Sequence, residues 1–266
     1  MNLLIKARNL IWNRFLHQIF YLIDEKSSIW EEEWKYLIVL DACRYDTFKK
    51  VIKEFDIEGT LKRKKSVGCI TEEWFAKTFT KDYYPDIIYI NSNPVVSKFP
   101  NKFFCRVDLW IDKWDDYHNT VLPEEVCRSA FMHSMVRPEK KMIIHFLQPH
   151  FPYLLEPQLG REAMDFALGK ITNPKTLGSK SLFQLCDWSF YAEYCDRIKD
   201  LYVANLRIVL SHVVDLVKKL KDKGKVVITS DHGEAFGERF LFFRVYGHVR
   251  ARIPAITYVP WFEVEE

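Results

Sequence analysis

The sequence predicts a three-layer α/β/α sandwich with a mostly parallel central sheet. Three observations carry this prediction. Short apolar runs of strand length recur along the chain, helical patterns lie between them, and two of the runs are followed closely by acidic residues. Strands that alternate with helices form a mostly parallel sheet with both faces covered, because each crossover connection places a helix over the sheet.

Five runs have the length and composition of buried strands: Leu37–Leu40, Ile87–Ile90, Met142–Leu147, Val226–Thr229 and Ala255–Val259. His145 alternates with apolar residues inside the third run and is expected to be a core histidine. The basic run Lys62–Lys65 is expected to be a solvated segment, which could also draw an anionic substrate towards the residues that follow it.

Helical patterns fill much of the sequence between these runs. The longest extends from about Leu182 to Lys223, with apolar residues near the 3.6-residue period of a helix. Lysines and Gly224 at its end are typical of a helix C-terminus. Pro123 and the two glutamates after it indicate the start of another helix, reached through a loop rich in acidic and aromatic residues.

Composition places the chain among globular proteins. Of its 266 residues 48% are hydrophobic, and the 39 basic and 36 acidic residues leave a net charge of +3. This balance gives no indication of nucleic-acid binding. The six cysteines form no Cys-x-x-Cys pair, which favours reduced thiols and a cytoplasmic protein.

Residues 1–24 are predicted to form an amphipathic helix, and residues 25–266 a single α/β domain. The first segment has one narrow polar stripe, carries Lys6, Arg8 and Arg14, and has no acid before Asp24. Arg14 interrupts the apolar run, which argues against a signal peptide and a membrane-spanning helix. Two interpretations stay open: a helix packed on the domain, or peripheral contact with a membrane surface.

Two strand ends bring possible metal ligands to the same edge of the predicted sheet. Asp41 follows the first apolar run, and Asp231 and His232 follow "VVITS". The carboxyl ends of parallel strands meet at one edge, where ligand sites of such sheets lie. Carboxylate and imidazole donors suit Zn²⁺ or Mn²⁺. Gly233 is expected to allow a sharp turn and a close approach to a ligand.

The chain resembles the alkaline phosphatase superfamily, in its sulfatase-like branch, through five motifs in the family's order: "VLDACRYD", "TEEW", "HFLQPHFPY", "TSDHGEAFGE" and "YGH". The resemblance implies that Asp41, Asp231 and His232 hold one divalent metal ion (Zn, Mn or Ca) and that a nucleophile supplies the fourth ligand. It implies a metal-dependent hydrolase or transferase that acts on an anionic phosphate or sulfate ester through a covalent enzyme intermediate. A hydrolase of class EC 3.1 is the first expectation.

Three side chains compete for the role of nucleophile: Ser66, Cys69 and Thr71. Thr71 is favoured because a helical pattern begins there, and the amino end of a helix favours an alkoxide and an anionic substrate. Metal coordination would lower its pKa further, although Thr71 could also serve only as a helix cap. Cys69 lacks the Pro, Ser and Arg of the Cys-x-Pro-Ser-Arg pattern found in formylglycine sulfatases, which argues against that chemistry.

Four further residues have roles that follow from their position or from the resemblance. His150 is expected to contact substrate oxygens or the leaving group, and His248 to protonate the leaving oxygen or bind a second metal. Gln148 stands where relatives often carry Asp, which favours a single metal because an amide is a weaker ligand than a carboxylate. Arg44 is placed either to bind the substrate oxyanion or to pair with Asp46.

Two other functions stay open at this point. One is a membrane-surface phosphotransferase that acts on lipid or glycan head groups, with residues 1–24 as its anchor. The other is a non-catalytic, sulfatase-like binding module. The presence of Asp41, Asp231, His232 and His248 argues against the second, because a site without function need not keep its ligands.

Overall fold

The structure, a computed structural model, describes residues 26–159, 195–240 and 243–265. The predicted helix 1–24, the predicted helical residues 182–194 and Cys186 lie outside these ranges. The strands are β1 (Tyr36–Asp41), β2 (Gly59–Lys65), β3 (Tyr84–Asn91), β4 (Phe103–Asp108), β5 (Trp114–Asp115), β6 (Thr120–Val121), β7 (Lys141–Pro149), β8 (Val226–Thr229), β9 (Ala235–Phe240), β10 (Phe243–Gly247) and β11 (Tyr258–Val264).

Seven of these strands form the central sheet, in the order β2-β11-β8-β1-β7-β3-β4. Strands β8, β1, β7, β3 and β4 run parallel, and β11 runs antiparallel to both of its neighbours. The predicted α/β class with a mostly parallel sheet is therefore confirmed. Strand β1 lies between β7 and β8, so the chain segments that follow these three strands emerge side by side.

The helices are α1 (Tyr45–Val51), α2 (Thr71–Thr78), α3 (Leu109–Asp112), α4 (Pro123–Val136), α5 (Cys195–Leu220) and α6 (Pro254–Thr257). Alternate residues of β1 point to opposite faces of the sheet. Ile38 and Leu40 belong to the apolar cluster that contains buried residues of α1, α4 and α5. Leu37 and Val39 belong to a second cluster, which includes residues of α2. Helices thus cover both faces, which confirms the three layers.

An aromatic cluster fixes α2 against the second face. The rings of Phe75 and Phe79 lie 4.8 Å apart, and Phe79 meets Phe103 edge-on at 5.0 Å. Trp74 packs edge-on against Phe79 at 5.6 Å. Each such pair contributes about 0.5–1.5 kcal/mol beyond the area it buries. The packing holds the helix by its apolar face and leaves its first residue, Thr71, at the carboxyl edge of the sheet.

One segment differs from its predicted structure. Residues 255–257 of the predicted strand Ala255–Val259 lie in the short helix α6, and β11 begins only at Tyr258. Pro254 occupies the first turn of α6, where its fixed φ suits a helix. The predicted solvated run Lys62–Lys65 lies in the edge strand β2, paired with β11. The five cysteines in the described ranges are free thiols, as predicted.

The contribution of α5 to stability gives a first prediction. Leu210→Ala should lower the free energy of unfolding by about 2–5 kcal/mol, because the Leu210 side chain is fully buried in the cluster beneath the sheet. Met132→Ala on α4 is the matched control, since that side chain is 59% exposed and should change stability by no more than about 0.5 kcal/mol. Urea denaturation measures both, and equal losses would contradict this packing.

Candidate active site

The chemistry-bearing residues meet at the carboxyl edge of the central sheet, as predicted. Asp41 is the last residue of β1, and His150 directly follows β7. Asp231 and His232 follow β8 after one intervening serine, and Asn93 lies two residues beyond β3. The parallel order β8-β1-β7-β3 therefore brings segments that are far apart in sequence to one site.

Asp41, Asp231, His232 and Thr71 form a compact, buried cluster. Thr71 Oγ1 donates a hydrogen bond of 2.8 Å to Asp231 Oδ2 and lies 3.4 Å from His232 Nε2. His232 Nε2 lies 3.4 Å from Asp231 Oδ2 and 3.6 Å from Asp41 Oδ1. Asn93 Nδ2 donates to Asp41 Oδ2 and lies 3.4 Å from Thr71 Oγ1. All five side chains are buried.

Two details of this cluster fit a bound cation. Asp41 Oδ1 is buried and has no hydrogen-bond partner in the part of the chain that the structure describes. His232 Nδ1 lies 2.9 Å from the Gly233 carbonyl. A proton on Nδ1 leaves the Nε2 lone pair facing both carboxylates, and such a backbone contact is typical of metal-binding histidines. Oxygen and nitrogen donors in this number suit a divalent ion such as Zn²⁺ or Mn²⁺.

The two aspartates differ in their electrostatic environment. Burial raises the pKa of Asp41 well above its usual range, and the charges of Asp231 and Glu234 raise it further. Burial opposes ionisation of Asp231 as well, but electrostatic interaction with the His232 and His145 imidazoles and several hydrogen bonds outweigh it and lower its pKa. Asp231 is therefore the anchoring anion of the site, and Asp41 needs a nearby positive charge to be ionised.

The turn after β1 adapts the backbone to this cluster. Ala42 has a φ of 57°, a left-handed conformation that costs on the order of 1–3 kcal/mol for a residue other than glycine. This conformation directs Ala42 N to Asp231 Oδ1, at 3.1 Å, where His232 N also donates at 2.8 Å. The strained conformation of Ala42 thus places its backbone N–H where it donates to the buried carboxylate of Asp231.

Of the three candidate nucleophiles, Thr71 is the one hydrogen-bonded to a carboxylate of the cluster. It is the first residue of α2, whereas Ile70 occupies the cap position, so the alternative role as a cap does not apply. Ser66 Oγ instead donates to the Asp231 backbone carbonyl. Burial, followed by the charge of Glu73, raises the pKa of the Cys69 thiol to about 12, although Arg252 lies 3.9 Å from its sulfur.

His150, Glu234 and His248 form a second group of donor atoms beside the first. Their donor atoms all lie within 4.8 Å of one another. His248 Nδ1 lies 2.9 Å from Glu234 Oε2, and the His248 ring stacks on that of His232 with 4.8 Å between centroids. Burial lowers the pKa of His150 to about 4, lowers that of His248 well below its usual value and raises that of Glu234 to about 7.

Arg44 and Gln148 contact none of the donor atoms of these two groups, although Arg44 Nη1 donates to the Glu234 backbone carbonyl at 3.1 Å. The Arg44 guanidinium forms two hydrogen bonds of 2.8 and 2.9 Å with Asp46 and an ion pair with Glu238. The pairing alternative is thus present, and contact with a substrate oxyanion stays a prediction. Gln148 Nε2 donates to Thr120 Oγ1 and to the Val121 carbonyl, which ties its side chain to β6.

His145 and Gly233 both have structural roles at this edge. Tyr89 Oη lies 2.8 Å from His145 Nδ1, and burial lowers the pKa of this core histidine to about 4. Gly233 was expected to approach a ligand closely, but its close approach is to the backbone of α6. A Cβ there would lie 2.2 Å from the Ala255 carbonyl, and Gly233 N donates to the Ile256 carbonyl.

Asn93 and Glu234 were not identified from the sequence. Asn93 follows the predicted strand Ile87–Ile90 in "NSNP", and its position just beyond a strand end was a usable signal. Its side chain also caps the short 3-10 helix Pro94–Lys98 by accepting from Val95 N. Glu234 lies inside the quoted motif "TSDHGE", but the motif gave no reason to assign it a separate role.

Several solved structures share this fold. The C-terminal periplasmic domain of EptC from Escherichia coli gives a TM-score of 0.52 at 14% identity, covering 90% of this chain and 75% of that one. The same domain is also known in complex with Zn, with a TM-score of 0.50. EptA from Neisseria meningitidis, an integral membrane lipooligosaccharide phosphoethanolamine transferase, gives 0.51 at 14% identity and covers 89% and 49%.

A protein in the alkaline phosphatase superfamily from Vibrio parahaemolyticus gives a TM-score of 0.51 at 11% identity, covering 91% of this chain and 62% of that one. The chain therefore has the fold of the alkaline phosphatase superfamily, as its motifs implied. It spans about half the length of the Neisseria transferase, 49%. No protein-family model and no curated protein matches the chain.

Two predictions concern the location of the protein: that it is cytoplasmic, and that residues 1–24 contact a membrane. The E. coli domain is periplasmic and the Neisseria protein is an integral membrane protein, so the predicted cytoplasmic location gains no support. In residues 26–159, 195–240 and 243–265, every helix is too short or too polar to cross a bilayer. Peripheral membrane contact through residues 1–24 stays a prediction.

Metal binding by the first cluster gives a second prediction. A ligand that binds only the folded state stabilises it, by about 2.7 kcal/mol at a hundredfold excess over Kd. Zn²⁺ or Mn²⁺ should therefore raise the melting temperature of the wild-type protein and leave that of Asp41→Asn unchanged. Without added metal, Asp41→Asn should be at least as stable as wild type, because the amide removes the cost of burying a carboxyl group whose pKa is raised well above its usual range.

Asp108→Asn is the matched control for that experiment. Asp108 also ends a strand, β4, and pairs with Arg106 at 3.0 Å, but it belongs to neither donor group. Its variant should lose stability and keep the full metal-induced shift in differential scanning calorimetry. An undiminished shift in Asp41→Asn would show that the metal binds elsewhere.

Proposed function

We propose that the chain transfers or hydrolyses a phosphate-ester group at a metal site, with Thr71 as the nucleophile. One observation carries this proposal. The Thr71 hydroxyl, at the start of a helix, donates to Asp231 inside a buried cluster with Asp41 and His232. The cluster thereby combines three features: a hydroxyl that can attack, donor atoms that can bind a cation, and the amino end of a helix, which favours an anion.

Asp41, Asp231, His232 and Thr71 would hold the metal ion. When bound, such an ion lowers the pKa of a coordinated hydroxyl and stabilises negative charge that develops on phosphate oxygens. The unpartnered Asp41 oxygen and the Nε2 atom of His232 support this donor set. The Zn complex of the E. coli domain agrees with a divalent ion, although at 13% identity that likeness supports no more than the class of ion.

The chain's own groups account for the first transfer step. Thr71 Oγ1 forms a bond to phosphorus while the bond from phosphorus to the leaving alcohol breaks. The hydroxyl proton passes along the hydrogen bond to Asp231 Oδ2, and the leaving oxygen takes a proton from the second donor group. The product is a phosphothreonine at position 71. A water molecule or an acceptor alcohol then attacks the same phosphorus and restores the hydroxyl.

The second group of donors is suited to supply a proton to the leaving oxygen. Burial holds the pKa of Glu234 near 7, so this carboxyl can carry a proton at neutral pH and share it with His248 Nδ1 at 2.9 Å. His150 lies against His248, with 4.7 Å between ring centroids. We assign His150 and His248 to the oxygens of the substrate and of its leaving group.

Phosphate is preferred to sulfate because of Cys69. In sulfatases of the formylglycine type the motif cysteine is converted to formylglycine, but here the Cys69 thiol is buried and lacks the surrounding sequence pattern. EptA from Neisseria meningitidis, which shares this fold, is a phosphoethanolamine transferase by name, so transfer is as compatible with the site as hydrolysis. A non-catalytic binding module is disfavoured by the intact cluster.

The identity of the nucleophile gives a third prediction. Thr71→Ala should reduce turnover of an aryl phosphate by on the order of 10³-fold or more, because the attacking oxygen is lost. Cys69→Ala should keep substantial activity. Thr71→Ser should retain part of the wild-type activity, because serine also carries a hydroxyl. Aryl phosphate and aryl sulfate are assayed in parallel, with folding checked by circular dichroism.

Mass spectrometry of rapidly quenched enzyme tests the same assignment directly. The covalent phosphate should map to the peptide that contains Thr71. A phosphate adduct or a formylglycine on Cys69 would overturn the assignment of the nucleophile and, with it, the preference for phosphate.

The role of the second donor group gives a fourth prediction. His150→Ala should lower turnover by about 10²–10⁴-fold, the usual range for loss of an acid or base group. The metal content should not change, because His150 is assigned to the substrate. Elemental analysis of the purified variant decides this point, and loss of one metal equivalent would instead establish His150 as a ligand of a second ion.

A further inference from the structure

Helix α5 supplies none of the donors in either group, yet two of its buried polar side chains reach the loops that carry those donors. Tyr202 and Asn205 are three residues apart, which places them on the same side of the helix. Both are almost completely buried. Since an unpaired buried polar group costs free energy, the partners of these two side chains indicate what they do.

The Tyr202 hydroxyl holds the turn that follows Asp41. It accepts a hydrogen bond of 2.9 Å from Arg44 N and donates one of 2.7 Å to the Ala42 carbonyl. Ala42 is the residue with the left-handed φ of 57°. A strained residue persists only where its surroundings enforce the conformation, and the tyrosine contacts the turn on both sides of Cys43.

The Asn205 amide holds the loop after β7. Its Nδ2 atom donates to the Pro152 carbonyl at 3.0 Å and lies 3.3 Å from the His150 carbonyl. Its Oδ1 atom accepts from Leu154 N at 2.8 Å. One side chain thus uses its donor and its acceptor on the loop that contains His150.

The two loops are also joined to each other, because His150 N donates to the Asp41 carbonyl at 3.2 Å. We infer that Tyr202 and Asn205 are positioning residues, which couple the two loops into one rigid unit and fix Asp41 relative to His150. The chemical importance of this unit rests on the proposed function, whereas the coupling itself does not.

Native-state hydrogen exchange tests the coupling without any assay of activity. Tyr202→Phe and Asn205→Ala should each increase exchange about tenfold or more at Arg44 N, His150 N and Leu154 N, in both loops. Val213→Ala is the matched control, because Val213 is fully buried on the same helix and lies in the core cluster. Rates are compared at temperatures that give equal free energies of unfolding.

Faster exchange only in the loop that the altered side chain contacts would overturn the inference, as would an equal effect of Val213→Ala. If Asn205→Ala does not fold, Tyr202→Phe alone decides, because its effect must reach residues 150–154. With an aryl phosphate as substrate, kcat should fall about tenfold in Tyr202→Phe and in Asn205→Ala, and less than about twofold in Val213→Ala. A wild-type protein without turnover would contradict the proposed function and leave the exchange result standing.

Discussion

The burial of two carboxylates beside one imidazole is the constraint on which the rest of the site depends. Asp41 and Asp231 are withdrawn from water at the end of adjacent strands, where like charges repel strongly in a low dielectric. Backbone amides, Asn93 and Thr71 satisfy part of this charge. One oxygen of Asp41 has no partner among the residues described, and a cation is the simplest means of completing the balance.

The parallel sheet makes this concentration of charge possible. Each crossover returns the chain to the same side of the sheet, so that consecutive strands end at one edge even when their residues are distant in sequence. The apolar residues of β1 are buried on both faces, and this rigid support offsets the strain at Ala42 and the desolvation of the acids. The buried apolar residues of the sheet therefore stabilise the fold, and the strained and desolvated residues at its carboxyl edge destabilise it.

The ends of strongly apolar strands could be read from the sequence, and so could Asp41, Asp231 and His232, which follow such strands. Thr71 could also be identified from the sequence, because a helical pattern begins there. Asn93 had a usable signal in its position just beyond a predicted strand, whereas Tyr202 and Asn205 had none, since their roles depend on how α5 crosses the strands. The run Ala255–Val259 was misassigned because a short apolar segment has the same composition in a strand and in a buried helical turn.

In the part of the chain that the structure describes, β2 is an outer strand of the central sheet, and its side chains determine what can approach that border. Lys62 and Lys64 lie on one side of the strand, near Glu32, and Arg63 and Lys65 lie on the other, over Tyr258. A second copy that aligned its own β2 here would bring like charges together on both faces, lysines on one face and Arg63 with Lys65 on the other. A border with like charges on both faces disfavours pairing with a second β2 and thereby disfavours growth of the sheet from chain to chain.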